Sequence, residues 1–246
     1  MSSPPDESPY KTKEPYVFVA VLFAILVAIA WIGLSADTLG RPLAWTEILL
    51  LMTAFAVIAG RAITGFWRGI LIDHRFKMDL SRLQLMAWNI LVLSALFTAV
   101  LANISLGSPT PLNIDIPSEL WVLLGISTAS AVSSPLLLDA KGGGNAGGSA
   151  KNVVAHNADF NGARWGDLLK GDEVERTQTV DLGKLQMFFL SFILIISYGA
   201  AIAAMLDGTG VIERLPAVDD GMNVLLGISH TGFLATKAGM RSADSS

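Results

Sequence analysis

Apolar runs, most of them about as long as a bilayer is thick, alternate with short polar connectors along this chain. Tyr16 to Ala36 carries no charged residue. Ile48 to Gly60 is a shorter uncharged core, bracketed by Glu47 and Arg61. Further runs extend from Leu83 to about Ile104, from Ser118 to Leu138, from Leu185 to Leu206, and from Gly221 to about Thr236. A helix crossing a hydrocarbon core of about 30 Å needs roughly 20 such residues. The pattern therefore predicts an all-α polytopic membrane protein of about six transmembrane segments.

The pattern also repeats. Residues 122–127 read Val-Leu-Leu-Gly-Ile-Ser, and residues 224–229 read the same, 102 positions later. At the same offset Asp79-Leu80-Ser81-Arg82-Leu83-Gln84 matches Asp181-Leu182-Gly183-Lys184-Leu185-Gln186. Two matches in one register predict a tandem repeat of helix pairs, about sixty residues per copy. The division that follows is a polar tail at 1–14, two helices within 15–67, copy one at 79–139, a hydrophilic loop at 140–180 and copy two at 181–240. Asp79 or Ser81 suits an N-cap, since a side-chain oxygen there accepts from unpaired helix N–H groups. Asp79 with Arg82, and Asp181 with Lys184, read as local ion pairs at helix starts. Gln84 and Gln186 sit at equivalent helix starts, either lining a cytoplasmic mouth or bonding neighbouring backbone.

Composition agrees with this class. Only 15% of the residues are charged and 52% are hydrophobic. Ordinary soluble domains carry about 25% charge. Cysteine is absent, which removes disulfides, thiolate ligands and cysteine nucleophiles together. Charge placement sets the orientation. With a cytoplasmic N-terminus, all Lys and Arg except Arg41 and Arg214 fall on or beside the cytoplasmic side. The positive-inside bias thus predicts cytoplasmic termini, with 139–182 cytoplasmic as well. Both copies enter from one side, so the repeat is parallel, with its pseudo-axis along the membrane normal.

The connectors carry their own expectations. Residues 66–82 mix Arg68, Arg75, Lys77 and Arg82 with apolar residues, the composition of an amphipathic segment on an anionic leaflet. Trp45 and Trp67 are placed to mark the two headgroup levels. Glycine-rich 141–151 reads as a flexible linker, and Trp165, Leu168 and Leu169 can rest on the membrane surface. Small-residue stripes at Ala20, Ala24 and Ala28 and at Ala56, Gly60 and Thr64 permit close helix approach.

Candidate chemistry gathers in the Gly-Ile-Ser segments. Ser127, Thr128, Asn223, Ser229, His230 and Thr231 are candidates to line a pathway or small-molecule site. The plainer alternative is helix packing through Gly125 and Gly227, each continued by small residues at four-residue spacing: Ala129 and Ser133, Thr231 and Ala235. His230 is ionisable within an apolar run, where such groups are costly and tend to serve function. A neutral, hydrogen-bonded histidine is the structural alternative. The glycine run at 142–148 fails the spacing of a phosphate loop. His74, His156 and His230 lack metal-ligand spacing. No catalytic residues, metal or cofactor are expected, and no enzyme or nucleic-acid-binding role.

Gly69-Ile70-Leu71-Ile72-Asp73-His74-Arg75, Leu80-Ser81-Arg82-Leu83-Gln84 and Leu225-Leu226-Gly227-Ile228-Ser229-His230-Thr231-Gly232 together resemble a group of uncharacterised bacterial multi-pass membrane proteins. The resemblance implies a bacterial inner-membrane address and assigns no activity or site. Two functions follow as expectations. One is a channel or transporter-like pathway between the repeated helix pairs. The other is a non-catalytic scaffold or accessory subunit that docks a cytoplasmic protein partner through 139–182. The bilayer itself is the first partner, and a homo-oligomer is expected.

Overall fold

The computed structural model describes residues 15–35, 39–142, 154–174 and 177–239. The N-terminal tail and most of the glycine-rich run lie outside these. Among the described residues six long helices make up the fold: α1 (Pro15–Leu34), α2 (Arg41–Thr64), α3 (Leu80–Ser105), α4 (Ser118–Gly142), α5 (Leu182–Leu206) and α6 (Asp220–Gly239). Short 3₁₀ turns at Gly69–Leu71, Phe160–Gly162 and Trp165–Leu168 belong to the connectors. Among the described residues the only β pairing is isolated bridges. Four of the helices, α1, α2, α3 and α5, are long and apolar enough to cross a membrane.

Helix α3 is the hub, touching α1, α2, α4 and α5, while α4 and α6 pack on each other and α6 also on α5. Trp88, Ala95, Ala99 and Ala102 of α3 are fully buried against Leu120 and Leu123 of α4 and Ile202 of α5. Alanines at three- and four-residue spacing bring the backbones close, which is how apolar helices gain dispersion contact where burial from water gives no drive. Helix α1 is peripheral. Tyr16, Phe23 and Trp31 are exposed, and Ile29 and Gly33 supply its buried edge. Ala20 and Ala24 are exposed and Ala28 is half-buried, so the first two positions of that stripe face away from the other described helices.

Helix α2 extends well beyond its uncharged core, taking in Glu47 and Arg61. Arg61 lies 4.4 Å from the Trp67 ring centroid. Trp45 does not mark a headgroup level. It is buried, and its indole N–H donates to Ser94 Oγ at 3.0 Å. The Ala56–Gly60–Thr64 face is a close contact as expected, though with a turn rather than a helix. A Cβ on Gly60 would lie 2.6 Å from the Ile70 nitrogen.

At the end opposite the connectors, Arg41 donates to the carbonyls of Gly208, Thr209 and Gly210. Asn103 and Ile212 exchange two hydrogen bonds of 2.8 Å. These tie the loops after α3 and α5 to the helix ends.

Candidate functional site

Two polar assemblies lie inside the structure. The first is a seam between α4 and α6. Among the described side chains the buried positions of α4 are Leu120, Leu123, Ser127, Ser130 and Ser134, each no more than 1% exposed. Their three-and-four spacing is that of a helix–helix contact stripe. Among the described side chains the buried positions of α6 are Asn223, Leu226, Ser229, His230 and Phe233; Asn223 and His230 reach α4, Leu226 shares a cluster with Leu120 and Leu123, and Phe233 joins Leu168 and Met187. Leucine gives way to serine along α4, so polar groups occupy positions that packing would fill with apolar ones.

Ser130 Oγ and His230 Nδ1 are 2.6 Å apart. The Asn223 amide donates to the Glu119 carbonyl at 3.1 Å. Several other polar atoms of the seam are buried without a hydrogen-bond partner among the described residues: Ser127 Oγ, Ser229 Oγ, Asn223 Oδ1 and His230 Nε2. Whichever tautomer the imidazole adopts, one ring nitrogen is engaged by Ser130 and the other has spare capacity. At the N-terminal ends of the two helices a pocket of about 320 Å³ is lined by Ser118, Glu119, Asp220 and Asn223. It places two carboxylates above the seam.

Of the predicted candidates, Ser127, Asn223, Ser229 and His230 thus come together. Thr128 and Thr231 do not, for both are exposed, and Thr128 only donates back to the Leu124 carbonyl. Gly125 is exposed, and an added Cβ would meet nothing within 4 Å. A Cβ on Gly227 would make only an ordinary 3.7 Å contact with Ile126. The Gly125 position therefore faces away from the seam, two residues or roughly 200° round the helix from Ser127, whereas Gly227 lies half-buried at the seam's edge. Ser130 and Ser134 escaped the sequence reading. Their three-four register with Leu120 and Leu123 was the signal that could have found them.

The second assembly is a buried ion cluster on the connector side. The turn before α3 closes with the Asp79 N–H on the Leu71 carbonyl, and the turn before α5 with the Asp181 N–H on the Leu169 carbonyl. Each aspartate then caps its helix, Asp79 accepting from the Arg82 N–H and Asp181 from the Gly183 and Lys184 N–H groups. Arg75 is not on a leaflet surface. It is 1% exposed, donates to Asp73 at 2.7 Å and to Asp172 at 3.0 Å. Lys184 donates to the same Asp172 oxygen at 3.0 Å and to the Lys170 carbonyl at 2.7 Å. Its ion partner is therefore Asp172, not Asp181.

Burial alone would lower the Arg75 pKa, but the charges of Asp172 and Asp73 outweigh it and the net direction is upward. Lys77 moves down, chiefly by burial; Asp172 opposes the shift, and the Lys184 and Arg75 cations add to it. Leu168 packs inward with Met187 and Phe233, whereas Trp165 is exposed. Gln84 bonds α5, donating to Met187 O and Ser191 Oγ, and Gln186 is exposed. Among the described residues no three His, Asp or Glu side chains converge as a metal would require.

No protein-family model, curated protein or solved structure matches the chain.

Proposed function

We propose that this is a six-span membrane protein, built from two copies of a helix pair, that carries protons or small cations along the α4–α6 seam. The observation that carries this reading is the row of buried seam atoms with unspent hydrogen-bonding capacity. In a low-dielectric setting such groups are costly unless water, an ion or a substrate visits them. Glu119 and Asp220 at the mouth favour cations over anions. His230 is the group suited to relaying a proton. Phe233, clustered with Leu168 and Met187, closes the connector end in this conformation.

The duplication has support in helix positions. The starts of α3 and α5 are 102 residues apart, as are those of α4 and α6. The connector side is cytoplasmic on this reading, by its basic excess, and the address is a bacterial inner membrane. A homo-oligomer would cover the outward Gly125 face. The test is flux in liposomes under proton, sodium and potassium gradients, with wild type and His230→Thr. Proton or cation flux whose pH dependence weakens in the variant is expected. No flux under any gradient defeats the proposal.

A second reading, a scaffold, is favoured by one feature. Ser127, Ser130, Ser229 and His230 are each no more than 5% exposed, so the seam is closely packed here. On that reading the ordered connector unit would dock a cytoplasmic protein.

A further inference from the structure

Beside α2, α3 and the first connector lies an apolar groove of about 790 Å³. That volume falls in the range of pockets that enclose a small organic ligand. Leu49 and Val57 of α2 and Leu83, Met86 and Ile90 of α3 form its walls. These side chains are only half-buried, so the groove is open rather than sealed. Apolar hollows are poorly filled by water. At the depth of α2 and α3 in a bilayer, the material available to fill one is lipid hydrocarbon.

The groove has a polar rim at its connector end. Arg68, Trp67 and Trp165 line it there. Arg68 Nε is buried and lacks a hydrogen-bond partner among the described residues. Trp67 and Trp165 are each 60% exposed. Amphipathic rings with a guanidinium are the combination found at headgroup level. An apolar ligand would leave Arg68 Nε unpaired, whereas a phosphate accepts from the guanidinium fork.

We propose that the groove is an anionic phospholipid site, with an acyl chain lying along α2 and α3 and the headgroup phosphate accepting hydrogen bonds from Arg68. The proposal rests on the membrane-spanning reading and is independent of whether the α4–α6 seam conducts. Delipidated full-length protein in detergent is titrated with phosphatidylglycerol, or with phosphatidylcholine of the same chains, and bound lipid is counted by native mass spectrometry. Wild type retains phosphatidylglycerol in preference. Arg68→Gln weakens that retention about fivefold, the contribution of one basic residue near an anionic surface, and leaves phosphatidylcholine unchanged. Ala87→Trp, which fills the groove, expels both; should it fail to fold, Arg68→Gln carries the test alone. Equal retention by wild type and Arg68→Gln overturns the proposal. So does displacement of the lipid by inorganic phosphate at matching affinity, which would mark a free-anion site. A carbonate wash of the cell membranes separates the two levels. Release of the chain defeats the membrane reading itself, whereas a retained chain without lipid preference defeats only this site.

Discussion

Asp172→Asn probes the connector-side cluster with the least change of shape. One oxygen of Asp172 receives both Arg75 and Lys184 at 3.0 Å. The three side chains are 2–7% exposed, so solvent screens them little. Removing one partner from a buried ion set costs about 3–5 kcal/mol, because the remaining charges are left uncompensated. Here Arg75 keeps Asp73, and Lys184 keeps the Lys170 carbonyl. The loss is therefore expected near the lower end, about 3 kcal/mol. Arg75→Met strips Asp73 of its ion partner and leaves Asp172 with Lys184, and should cost more, about 5 kcal/mol. Unfolding midpoints in mixed detergent give the ordering, and limited proteolysis of residues 154–174 reports loosening of that connector. Lys184→Met combined with Asp172→Asn should cost less than the sum of the single changes, since they share one interaction. A loss below about 1 kcal/mol for Asp172→Asn, as for an exposed pair, together with strict additivity, would refute the cluster's role.

Other outcomes follow from single contacts. Gly60→Leu should destabilise by about 1–3 kcal/mol, because its side chain would be driven into the backbone at Ile70; Gly125→Leu, facing open space, should leave monomer stability within about 0.5 kcal/mol. Equal losses from the two glycine variants in thermal melts would contradict the assigned helix faces. Gln84→Leu removes the donations to Met187 and Ser191 and should cost about 0.6 kcal/mol, the average for interhelical hydrogen bonds in membranes, and no more than about 1.7 kcal/mol. Lys77 is held below its ordinary 10.5, so the folded chain releases that proton before the unfolded chain does. Stability from this group then rises as pH climbs from the folded-state pKa to 10.5. Lys77→Met should flatten that alkaline rise in pH-dependent melts, and an unchanged slope would exclude Lys77 as its source.

Long uncharged runs made the helices legible, because a run of about 20 apolar residues has the length and composition of a helix able to cross a bilayer. The cap at Asp79 was legible because it depends on a neighbour three residues away; the matching cap at Asp181 was read only as an ion pair. The ion cluster was not. Arg75 and Asp172 are 97 residues apart, and no local spacing announces the pair, so Arg75 and Lys77 read as surface cations. The face of α4 was misread for a different reason. Gly125, Ala129 and Ser133 form a stripe that suggests close packing, and beside it Ser127 read as a pathway candidate while Ser130 and Ser134 drew no reading. The structure turns the serines inward, where the register of Leu120 and Leu123 had already pointed. Trp45 was drawn to the interface by its amphipathic character, yet Ser94 on α3 supplies its N–H with a buried acceptor.

Cysteine accessibility along α4 and α6 tests the pathway most directly, since the native chain contributes no thiol background. Single cysteines at Ser127 and Ser229, on the seam, and at Thr128 and Thr231, on the outer face, would be exposed to silver ion in liposomes under a cation gradient. The pathway account predicts rapid modification at Ser127 and Ser229, with loss of flux, and slow modification at Thr128 and Thr231. Protection of Ser127 and Ser229 equal to that of the outward pair would mean that no aqueous path runs between α4 and α6.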